Sequence, residues 1–235
     1  MIETHAKVLK ASLQEGLTSK AFEEPWRTNN PRKWAEYVGF EHCDQLTAAS
    51  LNRAGLRDEL RAARSSKAAA ALILAWGGMN RRYGRLLFKE EEWTEIVADL
   101  RAGRLSASDA YQRFEGLRSA KKLPGMGPAY FTKLIFFLGD QNGRTGFIMD
   151  QWTATSVNLL LGNTVVVMDR CYPKGARVSD RNSVRNYEAF NESVLAIAHD
   201  WQHDPEIIEM ALFGRGHPQQ DRWRKHVSAA LSLDR

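Results

Sequence analysis

Two stretches in the middle of the chain carry residue types and spacings suited to chemistry. The first is the turn Leu123-Pro124-Gly125-Met126-Gly127-Pro128, with Lys121 and Lys122 before it and an apolar run over 129–138 behind it. Pro124 presets one turn residue, and the two glycines allow positive φ and close approach of another backbone. The amides from Gly125 through Met126 and Gly127 to Ala129 would stand open at a helix start, aimed at an anion. Leu123 and Met126 would pin the turn to the body, and the two lysines would reach flanking phosphates, a contact that positions a nucleic acid without reading its sequence. The second stretch is Phe147-Ile148-Met149-Asp150-Gln151-Trp152, whose single carboxylate opens a further helix and could act on whatever the turn holds. Asp150 also stands where a capping aspartate would, with Thr153 three residues on, and one residue can serve both purposes. Asp140 and Asp169 are weaker rivals, the first in a turn-rich loop and the second followed at once by Arg170.

These groups need helices to position them. Apolar spacing and cap signals predict helices over 6–18, 32–38 (with Pro31 in its first turn), 44–64, 67–76, 90–100, 106–122, 128–138, 150–161, 183–203, 205–213 and 219–231. Ser65 or Ser66 would cap 67–76, which is apolar nearly all round and reads as the central buried helix. Ser106 with Asp109 makes a capping-box-like start. The β-branched run 164–168 is a marginal strand without an evident partner, and 171–182 reads as a loop with Lys174, Arg177 and Arg181. The expected class is all-α, with roughly ten helices and at most one strand.

The chain's 235 residues suit one large domain or two small lobes. With 33 basic and 28 acidic residues it has a mild positive excess, compatible with nucleic acid. Cys43 and Cys171 are the only cysteines, too few for a disulfide scaffold or for a cluster needing four thiolates. The six histidines show no metal-ligand spacing, so no metal site is expected. No apolar run approaches the ~20 residues of a membrane span and no secretory leader pattern opens the chain. The expected location is cytoplasmic, nucleoid-associated when bound to DNA.

The Leu-Pro-Gly-Met-Gly turn, its apolar helix and an aspartate about two dozen residues on together resemble the helix-hairpin-helix DNA glycosylase superfamily. The wording of 127–138 (Gly-Pro-Ala-Tyr-Phe-Thr-Lys-Leu-Ile-Phe-Phe-Leu) is most similar to its bacterial branch with an 8-oxoguanine-glycosylase fold. The specific match covers about 121–153. The resemblance implies a two-lobed helical enzyme with DNA in the cleft between lobes. It implies one glycosylase-like unit over 1–235, with interleaved lobes and the hairpin and catalytic segment at about 106–162. It also implies base excision with Asp150 as the catalytic aspartate. Several relatives hold an iron–sulfur cluster, for which this chain lacks cysteines, and the superfamily's hairpin turns often hold a monovalent cation through carbonyls. No other cofactor is expected.

Cleaving an N-glycosidic bond builds positive charge on the deoxyribose, which a carboxylate stabilises. Bifunctional members of the superfamily carry a lysine two residues after the second hairpin glycine; here that residue is Ala129. Lys133 lies one helical turn on, and helical side chains lean toward the N-terminus, so its amine could reach the space above Ala129. Among Tyr130, Phe131, Leu134 and Phe137 it would be an activated nucleophile; the alternative is a solvated or phosphate-binding lysine. Without it, Asp150 activates water. A flipped base needs aromatic walls and polar readers. Trp76, Asn80, Gln151 and Trp152 are the pocket candidates, with Trp26 and Arg215-Gly216-His217 as further bordering residues. Arg81 and Arg82, with Arg85, form a basic cluster beside Trp76-Gly77-Gly78 that suits DNA phosphates, or a plain solvated face.

The expected function is a DNA glycosylase, monomeric on double-stranded DNA, with Schiff-base lyase activity if Lys133 is the nucleophile. Its base would be 8-oxoguanine or a bulkier modified one, such as a modified pyrimidine of phage DNA, which would place it in repair or in phage defence. The alternative is a non-catalytic helix-hairpin-helix DNA-binding protein, which has no need of Asp150.

Overall fold

The computed structural model of the protein describes residues 2–17, 30–139, 146–171, 175–214 and 222–233. Trp26, Asp140, Lys174 and Arg215-Gly216-His217 lie outside them. The fold is all-α: twelve α-helices and one small two-stranded sheet among the described residues. By contact density the chain divides into two compact units, a continuous one at Pro25–Gly146 and a split one made of Met1–Glu24 and Phe147–Arg235.

The continuous unit holds α2 (Pro31–Val38), α3 (Arg53–Ala62), α4 (Ser66–Trp76), α5 (Arg81–Leu87), α6 (Glu92–Arg101), α7 (Ala107–Ser119) and α8 (Pro128–Leu138). Helix α4 is buried from Ala68 to Trp76 and packs against α2, α3, α6 and α8. Its composition explains this, since a helix apolar all round has no face to offer water. Ser65 caps it by accepting from the Ala68 amide at 3.1 Å. Helix α7 begins as expected at Ser106, whose hydroxyl accepts from the Asp109 amide. It pairs with α8 across the Leu123–Gly127 turn, and the Phe114 and Phe131 rings stack between them at 5.2 Å.

One expectation fails in this unit, and one helix is added. No helix runs over 44–64: a single 3-10 turn at Cys43–Gln45 is followed by extended chain, and α3 starts only at Arg53. Asn52 sets that start by accepting from the Gly55 amide at 2.8 Å. Upstream, the Leu46 and Thr47 carbonyls accept from Arg32 of α2 and so cannot close helical turns. The basic cluster after Met79, for which no element was expected, lies on the short helix α5, capped by Asn80 through the Arg82 amide at 2.9 Å.

The split unit holds α1 (Ile2–Leu17), α9 (Gln151–Leu161), β1 (Met168–Arg170), β2 (Ala176–Val178), α10 (Val184–Trp201), α11 (Pro205–Phe213) and α12 (Arg222–Leu233). Helix α9 is its centre, packed by α1, α10, α11, α12 and β2. Here the strand expectation is corrected. The strand lies at 168–170, not 164–168, and it has a partner: β2 pairs with it antiparallel, Met168 opposite Val178. The run 165–167 is held by side chains instead. Asn158 Oδ1 accepts from the Val165 and Val166 amides, and Asn182 Oδ1 from Val167. Among the described residues no helix is long and apolar enough to cross a membrane, and no group of three metal-ligating side chains occurs.

Candidate functional site

The turn between α7 and α8 is built on left-handed backbone at Lys121 (φ 61°) and Gly125 (φ 71°). At Gly125 the glycine is required twice over: an added Cβ would also lie 2.3 Å from Tyr83 Cβ. Lys121 takes the left-handed position that closes α7, and the Lys122 amide returns to the Leu117 carbonyl at 2.9 Å. Helix α8 starts at Gly127 without a side-chain cap and has Pro128 at its first position. The amides of Gly125, Gly127 and Ala129 find no acceptor among the described residues. The Met126 amide differs from the expectation, since it donates to the Leu123 carbonyl at 3.2 Å. Its side chain is fully buried, so Met126 anchors the turn and is not an open contact. Lys121 is exposed, whereas the Lys122 amine is drawn to Glu92 of α6 at 2.6 Å. That bond holds the Glu92 carboxyl below its ordinary pKa and raises that of Lys122.

The neighbours of this turn come from α4 and α5. Tyr83, 49 % exposed, lies against Gly125, which joins α5 to the turn. Arg81, Arg82 and Arg85 are exposed on α5, and the Arg81 guanidinium sits 5.6 Å from the Tyr37 ring centroid. Asn80 is exposed, but its carbonyl oxygen is engaged as the α5 cap. Lys133 is buried to 8 % exposure, with its stem packed against Gly77 so closely that a Cβ there would lie 2.8 Å from Lys133 Cδ. Its amine donates to the Ala129 carbonyl at 2.6 Å and lies 5.6 Å from the Tyr130 ring centroid. The backward lean of a helical side chain thus carries the amine one turn up, to the residue where a lysine is missing. Burial raises the Tyr130 pKa, keeping its hydroxyl neutral, and that hydroxyl reaches the Gly78 carbonyl at 3.4 Å. Trp76 packs edge-on against Phe137 at 5.0 Å, and its buried indole N–H has no acceptor among the described residues. An unpaired buried donor costs about 1–3 kcal/mol, so this one suits an acceptor supplied from outside the protein.

Asp150 stands in the split unit at the start of α9, 7 % exposed. The apolar run before it is tied to α10: the Phe147 amide donates to Asn191 Oδ1 at 3.0 Å, and the Tyr187 hydroxyl donates to the Phe147 carbonyl at 3.1 Å. Oδ1 of Asp150 accepts from the Trp152 amide at 2.8 Å and the Thr153 amide at 3.2 Å. The Asp150 amide donates to Thr153 Oγ1 at 3.0 Å, which completes a capping box. Every contact of the carboxylate uses Oδ1, and Oδ2 accepts no bond from the described residues. The two pocket candidates beside it are already engaged. With its amide turned to satisfy both neighbours, Gln151 donates to the Ala176 carbonyl at 2.8 Å and accepts from Trp152 Nε1 at 3.1 Å. The Trp152 ring lies 4.6 Å from the Arg224 guanidinium.

The structure brings Gly125, Gly127 and Ala129 together with Tyr83, Lys133 and Trp76 within the continuous unit, and groups Asp150, Gln151 and Trp152 in the split unit. Sequence reading missed Tyr83 and Arg224, and named Tyr130 only as a neighbour of Lys133. A tyrosine beside an arginine cluster was the available signal for Tyr83. Nothing in the local sequence marks Arg224, whose contacts are with Phe213, eleven positions away, and with Trp152 in a distant helix.

Comparison with known proteins adds one finding. No curated protein and no solved structure gives a significant match. A model of the family described as "Putative 8-oxoguanine DNA glycosylase OGG-like protein" matches residues 15–213. That span takes in the hairpin turn, Lys133 and Asp150 and covers most of the chain, and the protein therefore belongs to this OGG-like family.

Proposed function

We propose that the protein is a DNA glycosylase that takes a modified base out of duplex DNA and breaks its glycosidic bond. The observation that carries the reading is Asp150: a buried carboxylate held rigidly through one oxygen while the other is uncommitted. A cap needs only Oδ1; a second oxygen without a partner suits positive charge developing on a sugar. The open amides of Gly125, Gly127 and Ala129 grip a phosphate, with Lys121 and the α5 arginines on flanking ones. Carbonyls of the same turn suit a monovalent cation that would steady it. Trp76 walls the flipped base and offers its free N–H to an acceptor on that base. Met126 drops out as a direct contact, and Lys122 is a weaker one because Glu92 neutralises it.

Lys133 is the nucleophile in this reading. As the base departs with the bonding pair and is protonated, the lone pair of the Lys133 nitrogen forms a bond to C1′. The resulting aminal moves a proton from nitrogen to the ring oxygen and opens to a Schiff base, from which strand cleavage follows. The base is 8-oxoguanine on the family description, and a modified pyrimidine is the alternative. The expected setting is DNA repair, with defence against phage if the base is a modified pyrimidine. The protein acts as a monomer in the cytoplasm.

Duplexes carrying single lesions test this: released base is measured with and without alkali, and the covalent intermediate is trapped with borohydride. Lesion release, with a trapped adduct that disappears in Lys133→Gln, is the expected result. Release without any adduct in the wild type sinks the lysine mechanism and leaves water activated by Asp150. One observation favours a second reading, a DNA-binding module without catalysis: the capping box gives Asp150 a structural reason to exist. Failure to release any base from a broad lesion panel, with duplex binding intact, would establish that module instead.

A further inference from the structure

Helix α12 and nearly all of α1 lie outside the span 15–213 that matches the family, yet both pack on α9, the helix that Asp150 opens. The contacts from α12 converge on the first turns of α9. Trp223 is fully buried, and its indole N–H donates to Ser156 Oγ at 2.8 Å and reaches the Leu212 carbonyl at 3.3 Å. The Ser156 hydroxyl in turn donates to that same carbonyl at 2.8 Å, so α9, α11 and α12 are joined at one point. Next along the chain, Arg224 is 3 % exposed and permanently charged. Its Nε donates to the Phe213 carbonyl at 2.8 Å, and the guanidinium lies 4.3 Å from the Phe213 ring centroid and 4.6 Å from that of Trp152. Trp152 is the residue whose amide holds Asp150 Oδ1 at 2.8 Å. One turn on, His226 stacks on Trp223 and shares a 2.7 Å hydrogen bond with His5 of α1, which ties the other end of the chain to the same helix.

We propose that α12 is a brace for the catalytic carboxylate, with Arg224 and Trp223 as positioning residues that hold Asp150 through Trp152 and Ser156. The inference rests on the glycosylase reading for its effect on rate but not for its effect on structure. A flat guanidinium over the Trp152 ring fixes the indole, the indole fixes its own backbone amide, and the amide fixes Oδ1. With Oδ1 fixed, Oδ2 has one direction to point. Small displacements of a reacting group cost large factors in rate, so a looser brace slows chemistry more than it weakens DNA binding. Lysine cannot replace this arginine well, because an ammonium lacks the planar face that stacks.

Two measurements on the full-length protein test the brace. The first is amide hydrogen exchange at Trp152 and Thr153 in wild type and Arg224→Met, which keeps the length of the stem but removes the charge and the plane. Exchange at those two amides should quicken about tenfold or more while the α10 core amides are unchanged. The second is single-turnover base release alongside duplex affinity. Arg224→Met should release base about tenfold more slowly at saturating protein with affinity within about threefold, and Arg224→Lys should recover only part of the rate. If Arg224→Met does not fold, Ser156→Ala, which removes the Trp223 bond to α9 and the Ser156 bond to the Leu212 carbonyl but leaves Arg224 in place, carries both measurements with smaller changes in the same directions. Unchanged exchange at Trp152 and Thr153 overturns the brace. So does faster exchange with a wild-type rate of release, or a rate restored in full by lysine. A wild type that releases no base overturns the glycosylase reading, and the exchange result then still decides whether α12 fixes the Asp150 turn.

Discussion

Two helices at the heart of this protein begin in opposite ways. Helix α8 starts at Gly127 with no side-chain cap, and three amides about the turn find no acceptor among the described residues. Helix α9 starts at Asp150 with a complete capping box, and the amides of Trp152 and Thr153 both meet Oδ1. Both ends carry the positive pole of a helix dipole. The open end has no anion of its own and so suits one from outside. The closed end has supplied its own anion and gains a carboxylate of fixed direction. An uncapped start and a capped start are therefore two uses of the same electrostatics, one for holding and one for acting.

The largest expected effect comes from removing the charge at the closed end while keeping the cap. Asparagine caps a helix about as well as aspartate. Asp150→Asn should therefore leave the melting temperature and duplex affinity nearly unchanged while base release falls about 10²–10³-fold. An asparagine variant as fast as wild type removes Asp150 from the chemistry. Alanine at the same position should add a loss of about 1 kcal/mol in chemical denaturation, because the cap goes too.

Giving the open end an anion of its own is the next largest perturbation. Gly127 has φ −86°, which a side chain tolerates, and an aspartate there would cap α8 and oppose phosphate. Gly127→Asp should weaken duplex binding about tenfold at moderate salt with the helical signal intact. Equal affinity would mean that the turn's amides hold no phosphate.

The surroundings of the closed end should respond to pH. Burial first, and His5 second, hold His226 below the ordinary histidine pKa. The fold thus favours the neutral ring. That contribution to stability is present above the unfolded value of about 6.5 and is lost as pH falls through the lower folded value. Melting temperatures should drop between about pH 7 and pH 5, and His226→Gln should flatten that slope. A slope equal to that of wild type assigns the loss to other groups.

The smallest effect concerns Lys121, which holds left-handed backbone at the edge of the open end. Lys121→Gly should relieve that strain and stabilise the protein by roughly 0.5–1 kcal/mol in urea titration. The same change should reduce the salt slope of duplex binding by about 0.9 if the amine meets a phosphate. A stabilised variant with an unchanged slope would leave Lys121 as a helix stop only.

Local signals were enough for much of this. Ser65, Ser106 and Asp150 are caps because a short polar side chain before an apolar run has open amides within reach. Helix α8 was legible because Pro128 and an unbroken apolar stretch leave no alternative, and α4 because a helix without a polar face must be buried. The all-α class followed from the same periodicities. Where reading failed, side chains distant in sequence had decided. Leucines at helical spacing over 46–60 suggested a helix, but Arg32 takes two of the carbonyls it needed. Just before β1, Asn158 and Asn182 hold the chain at 165–167 through its amides, which no strand pattern records.

By itself, then, the sequence determined the two helix starts and the identity of the groups at each, because caps, turns and helix periods act over three or four residues. The tertiary structure alone decided how those groups are dressed. It brought the Tyr83 ring onto Gly125, cleared room for the Lys133 stem at Gly77, left the Trp76 indole N–H without an acceptor among the described residues and set Arg224 over Trp152. The three contacts among these join residues separated by about forty to seventy positions. Such contacts form only when buried apolar surfaces have chosen which helices meet, a choice made by packing across a whole unit and invisible to any window of the chain.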